Sequence, residues 1–203
     1  MPRVAIIDHG LGNLQAVEKA LTRAGGGANV FRSFDPDAVR RADRVVLSGT
    51  GGLQQCVDEL RRLGMDEVLA ELLENRPLLA IDVGLHALGR QGLGLLPFDV
   101  RPLSGNGVRL PHMGWNRVRR EHGDALWDGI PQDGFFYFTH RECIANAGPL
   151  VAGESEHGER FASVLARGCF VGVQFHPEIS HVQGLHFLAN FVNRDEPGET
   201  DRD

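Results

Sequence analysis

Three short, unbroken apolar runs, each leaving into a glycine-bearing loop, constrain the fold of this chain more than any other feature. Val4-Ala5-Ile6-Ile7 runs into Asp8-His9-Gly10-Leu11-Gly12-Asn13, Val45-Val46-Leu47 into Ser48-Gly49-Thr50-Gly51-Gly52, and Leu78-Leu79-Ala80-Ile81 into Asp82-Val83-Gly84. A run that is apolar at every position, rather than at alternate ones, is covered on both faces, as strands of a parallel sheet are. Between the first two runs, Leu14, Val17, Leu21 and Ala24 recur at helical spacing and stop at Gly25-Gly26-Gly27. Val30-Phe31 supplies one more strand, and a helical stretch from about Leu53 to Glu74, broken at Gly64, precedes the third run. Strand–helix alternation of this kind requires right-handed crossovers, which predicts an α/β fold: a mostly parallel sheet with helices on both faces.

From about Phe98 the texture changes. Short β-like runs at Phe135 to Phe138, Phe161 to Leu165 and Phe170 to Phe175 alternate with turns, which predicts antiparallel additions at one side of the sheet. A last helix is expected over about Val182 to Val192. The charged tail, Arg194 to Asp203, is expected to be disordered, leaving one domain over residues 1–193.

The 203 residues carry 21 Lys and Arg against 27 Asp and Glu, a formal net charge of −6, so no cationic excess is available for nucleic-acid phosphates. No apolar stretch reaches the roughly 18 residues a membrane helix needs, and Met1 to Ile7 lacks the features of a signal peptide; a cytoplasmic protein is expected. Cys56, Cys143 and Cys169 are odd in number and widely spaced. Free thiols are therefore expected, with no zinc site and no cofactor.

Open α/β sheets place their sites outside the carboxyl ends of the strands. Three loops qualify: Gly49-Thr50-Gly51, Asp82-Val83-Gly84 and His176-Pro177-Glu178. A strand, then Asp82-Val83-Gly84, then a helical stretch has the form of a nucleophile elbow, a tight turn that presents one side chain above the sheet. The glycine loop can bring a backbone N–H close, as an oxyanion hole requires. His176, two residues before Glu178, suits a base oriented by a carboxylate. Singly, each of these is commonly just a turn or a structural loop; their occurrence together and in this order points to a site.

Asp8 to Leu14, Pro111-His112-Met113-Gly114-Trp115-Asn116 and Gly172-Val173-Gln174-Phe175-His176-Pro177-Glu178 together resemble the glutaminase subunits of imidazole glycerol phosphate synthase, over Val4 to about Val192. The resemblance implies the three-layer, flavodoxin-like fold of class I glutamine amidotransferases. It also implies glutamine hydrolysis that supplies ammonia to a (β/α)8-barrel synthase subunit, in histidine biosynthesis. The implied triad is cysteine, histidine and glutamate, the last two matching His176 and Glu178. Thr50 and Val83 would give the oxyanion N–H groups, and Gly49, Gly51, His86, His140 and Arg141 would line the pocket. Pro111, His112, Met113, Gly114, Trp115 and Asn116 would face the synthase.

The family's elbow reads Gly-Ile-Cys-Leu-Gly-Met-Gln, where this chain has Ala80-Ile81-Asp82-Val83-Gly84-Leu85-His86. Asp82 thus stands at the nucleophile position. A thiolate attacks an amide to give a thioester, whereas a carboxylate is a poorer nucleophile and would form a high-energy anhydride. Three further departures fall on the same pocket. His86 replaces the glutamine, His140-Arg141-Glu142 replaces His-Ser-Tyr, and Ser48 precedes Gly49 where proline is usual; the loop after the elbow is also shortened. A non-hydrolysing subunit that docks on the synthase, with glutamine poorly held, is therefore expected. Two alternatives remain open: repurposed acid–base or metal-assisted chemistry by Asp82, His86, His176 and Glu178, and a substitute nucleophile among the three cysteines.

Overall fold

The computed structural model describes residues 1–105, 107–120 and 125–193. The chain runs β1 (Arg3–Ile7), α1 (Leu14–Ala24), β2 (Asn29–Ser33), α2 (Pro36–Arg40), β3 (Arg44–Gly49), α3 (Leu53–Arg62), α4 (Met65–Asn75), β4 (Leu78–Asp82) and α5 (Val83–His86). It continues through β5 (Asp99–Pro102), β6 (His112–Arg120), β7 (Asp133–His140), β8 (Glu142–Ala145), β9 (Val151–Glu156), β10 (Arg160–Arg167) and β11 (Phe170–Val173) to α6 (His181–Asn193). Among the described residues, the main strand order is β2-β1-β3-β4-β11-β10-β9-β6-β7, with β5 and β8 attached beside β10.

The apolar runs become the centre of the sheet because alternate side chains point to opposite faces. Ala5, Val45, Leu47, Leu78 and Ala80 pack on one side against Val57 and Leu60 of α3 and Val68, Leu69 and Leu72 of α4. Val4, Ile6, Val46, Leu79 and Ile81 pack on the other against Leu14, Val17 and Leu21 of α1 and Phe187, Leu188 and Phe191 of α6. Helix starts follow local chemistry: the Asn13 side chain accepts the Ala16 N–H at 3.2 Å, and Asp35 accepts the Asp37 N–H at 3.0 Å with Pro36 opening α2. The break expected at Gly64 separates α3 from α4, Gly64 sitting at φ 68°.

One expectation changes. Phe170 to Val173 is not an outlying antiparallel strand. It pairs parallel with β4 and antiparallel with β10, and so joins the two halves of the sheet. The short helical stretch expected at the elbow runs from Val83 to His86. The expected tail, 194–203, lies outside the described residues.

Candidate functional site

Parallel pairing of β3 with β4 sets Gly49 opposite Asp82, so the loops leaving these strands start side by side. Asp82 lies at φ 49°, ψ −116°, a backbone conformation that costs a non-glycine residue about 1–3 kcal/mol and persists only where packing enforces it. Gly84 is part of that enforcement: a Cβ there would lie 2.4 Å from the Leu47 carbonyl oxygen. Gly49 packs beside it from the other loop at ordinary contact distance, where a Cβ would stand 3.4 Å from the Gly84 nitrogen and from Cε1 of His9. His9 is buried and its Nε2 lies 2.8 Å from the Ser48 carbonyl oxygen, so it donates there and props the glycine loop from behind.

Around Asp82 the buried polar groups form one array. Gln174 donates from Nε2 to Asp82 Oδ1 at 2.7 Å, and its Oε1 accepts from His86 Nε2 at 2.8 Å. His176 Nε2 stands 3.7 Å from Asp82 Oδ2, and its Nδ1 is 2.9 Å from Glu178 Oε1. Ser180 fixes the His176 loop, donating to the His176 carbonyl at 2.6 Å and accepting the Tyr137 N–H at 2.9 Å. Burial pushes the Asp82 carboxyl above the usual carboxylate range; His86, His176 and the neighbouring Val83 N–H oppose the rise, while Glu178 adds to it. Burial works against a charged His176, yet the Glu178 hydrogen bond and charge, with Asp82, outweigh it and raise the imidazole above its ordinary value. The imidazole thus stands between two carboxyl groups, bonded to Glu178 and 3.7 Å from Asp82.

Of these groups Asp82 and His86 border a cleft of about 440 Å³, lined also by Thr50, Gly51, Gly52, Leu53, Val83, Pro111, Thr139, His140, Arg141 and Glu142. Its wall at His140 is tied to β6 by a hydrogen-bond chain with a fixed direction. The Glu142 carbonyl can only accept, so His140 Nδ1 donates to it, at 2.7 Å. His140 Nε2 must then accept from His112 Nδ1, at 2.8 Å, and His112 Nε2 accepts from Asn116 Nδ2, at 3.1 Å. Asn116 is locked in turn, its amide donating to the Glu156 carbonyl and its oxygen accepting the Arg117 N–H. Both imidazoles are therefore neutral. Burial first, then neighbouring imidazoles, hold His112 down to about 3; burial outweighs the Glu142 carbonyl and holds His140 down to about 4.

Asp82, His176 and Glu178 come together, and Thr50, Val83, Gly51, His86, His140, Arg141 and Pro111 all border the cleft. Gly49 is buried and does not line it. The segment Pro111 to Asn116 does not form a single exposed face. Strand alternation turns Met113 and Trp115 outward, 63% and 45% exposed, while His112 is buried against Phe138 and His157. Metal binding by Asp82, His86, His176 and Glu178 loses its geometric basis. The Gln174 amide separates His86 from Asp82, and among the described residues no group of three His, Cys, Asp or Glu side chains is arranged to hold a metal ion. The cysteines are equally unsuited to be nucleophiles. Burial raises Cys56 to about 12 and Cys143 to about 11, and the Cys169 carbonyl accepts from Leu78, at the opposite end of β4 from the elbow.

The residue that sequence reasoning passed over is Gln174. A glutamine inside the run Val171-Gly172-Val173-Gln174-Phe175 was the available signal, since a buried amide must find partners. Gln174→Leu is expected to cost about 3 kcal/mol in urea denaturation, because it strands a buried carboxylate and a buried imidazole N–H. A loss below about 1 kcal/mol would show that Asp82 finds its partners elsewhere.

Residues 5–194 match the model of the class-I glutamine amidotransferases, and the chain belongs to that family. Its similarity within the family is to imidazole glycerol phosphate synthase subunits. It is 42% identical to subunit HisH 1 of Pseudomonas aeruginosa, over 95% of this chain and 97% of that one. It is 41% identical to subunit HisH of Nitrosococcus oceani, with the same coverage. Solved structures share the fold at low identity. A glutamine amidotransferase superposes with a TM-score of 0.68 at 17% identity, over 93% of this chain and 98% of that one. Another, from Thermotoga maritima, has a TM-score of 0.63 at 20% identity, over 88% of this chain and 76% of that one. Among the described residues no helix is long and apolar enough to cross a membrane.

Proposed function

We propose that this chain is a docking or regulatory homologue of the synthase glutaminase subunit that does not itself hydrolyse glutamine. The observation that supports this most directly is the side chain at the elbow. Asp82 stands where an attacking sulfur is expected, and its carboxyl group is buried and accepts the Gln174 Nε2 hydrogen bond at 2.7 Å. Attack by that carboxylate on an amide would give an anhydride, a product far less stable than a thioester. Docking is supported by the outward side chains of β6. Met113 and Trp115 are exposed, Trp115 stacks on His181 with ring centroids 5.0 Å apart, and Ile179 and Val182 beside His181 are exposed as well. The occupant of this face is a (β/α)8-barrel synthase subunit in the cytoplasm, where the complex draws on free ammonia or works without it.

The test combines the purified chain with the synthase subunit of the same organism and glutamine. Co-elution on gel filtration with no ammonia release above the uncatalysed rate is expected. Steady glutamine turnover would overturn the reading, and separate elution would remove its docking half. Acid–base chemistry in the same cleft is a second reading. One observation favours it: Asp82 and His176, both with raised proton affinity, stand 3.7 Å apart.

A further inference from the structure

The exposed apolar side chains of the docking face sit on two different elements. Met113 and Trp115 point outward from β6, whereas Ile179 and Val182 flank the start of α6. One ring joins the two. His181, the first residue of α6, lies nearly flat on Trp115, with ring centroids 5.0 Å and planes 12° apart. Tyr137, opposite Trp115 across the β6–β7 ladder, meets the same indole edge-on at 5.8 Å. A large exposed side chain ordinarily exchanges rotamers, and a partner must freeze it on binding; an indole held on two sides beforehand avoids that loss.

His181 holds this position through an uncommon backbone conformation. Its φ of 49° lies in the left-handed region, which few residues other than glycine adopt. The turn is built from beneath: the Gly184 N–H donates to the Ser180 carbonyl at 3.0 Å, and a Cβ on Gly184 would collide with the Pro177 carbonyl oxygen. Backbone strain of this kind persists only where packing enforces it, and it gathers at ligand clamps and switch regions.

We propose that His181 is a positioning residue of the docking face: it clamps Trp115 in its outward orientation and joins the β6 and α6 patches into one contact surface for the synthase subunit. The inference rests on the docking reading above and names the residue that prepares its central anchor. Buried aromatic anchors carry most of the energy of a protein interface, so a group that orders one before contact acts on affinity through it.

The test is a calorimetric titration of the full chain with the synthase subunit of the same organism. His181→Gly removes the ring and suits the left-handed backbone, so this variant is expected to fold at least as stably as the parent. It is expected to bind about tenfold more weakly. In the free variant, 15N relaxation of the Trp115 indole N–H should report faster, wider motion than in the parent. His181→Tyr, which keeps a ring in place, is expected to bind within about threefold of the parent. Trp115→Ala should cost more than His181→Gly, and adding His181→Gly to it should cost almost nothing further, because the imidazole then has no indole to hold. A His181→Gly variant that binds like the parent would overturn the proposal, as would additive losses in the double variant or unchanged indole relaxation. The two readings fail separately. A parent chain that does not bind the synthase subunit removes docking and this role together, whereas equal binding by parent and His181→Gly leaves docking standing and removes only the clamp.

Discussion

Asp82→Cys is expected to install a reactive thiolate without restoring glutamine turnover. The elbow would present the new sulfur near His176 Nε2, which stands 3.7 Å from the present carboxylate oxygen, and the raised proton affinity of His176 would favour a thiolate–imidazolium pair. Iodoacetamide should therefore modify the new thiol more than about tenfold faster than Cys56, which is buried and held at about 12. Loss of a nucleophile in a complete triad commonly costs about a millionfold in rate, so a pocket still fitted to glutamine should recover much of that when the sulfur returns. Here it should not. His86 is committed to Gln174 and faces Glu142 at 3.8 Å, so it does not offer a bound amide the free carboxamide donor and acceptor of the glutamine it replaces. Ammonia release that rises more than about a hundredfold over the parent chain would show that the pocket still suits glutamine.

Acid should unfold this protein through the His112–His140 pair. Their hydrogen-bond chain requires both rings neutral, with folded values of about 3 and about 4 against 6.5 in an unfolded chain. A depressed folded value places the stabilisation above pH 6.5 and removes it as pH falls towards the folded values, because the unfolded state binds protons first. Each ring contributes up to about 1.4 kcal/mol per pH unit in that window, so about 4 kcal/mol is expected to go between pH 7 and pH 4.5. Against a total of about 5–15 kcal/mol this is decisive. His176 and Asp82 act in the opposite sense. Their folded values are raised, so their contributions are present in acid and lost as pH rises. Across the acid window His176 is charged in both folded and unfolded states and adds little slope, and Asp82 is one group against two. Urea denaturation across the pH range measures the slope, and 15N-histidine NMR should show both rings still neutral at about pH 5. Titration of either ring near 6.5 would contradict this account.

Sequence alone disclosed the part of this molecule that depends on local patterning. Continuous apolar runs ending in glycine can hardly be anything but buried parallel strands, and the elbow follows because Gly84 is the residue that lets the chain turn beneath Leu47. What escaped depends on residues brought together from afar. The pairing of Phe170–Val173 with Leu78–Ile81 has no local signature, so the strand was assigned by the texture of its neighbours. His112 and His140 are 28 positions apart and meet only because β6 and β7 pair at that register. The motif Pro111 to Asn116 is contiguous in sequence, but a strand sends alternate residues to opposite sides, so one stretch serves both the surface and the interior. Gln174 was in view as part of a motif; only its partners on β4 and α5 show what it holds.

The twist in the backbone at Asp82 has a consequence beyond the cleft. The turn is enforced from below, by Gly84 against the Leu47 backbone, and that contact does not involve the side chain at position 82. The backbone therefore works there as a socket: it fixes where a side chain will stand, and the choice of side chain is left to the polar partners above it, Gln174 first among them. One codon can exchange a sulfur for a carboxylate at the focal point of the molecule while the scaffold, and any partner resting on β6, meets the same shape.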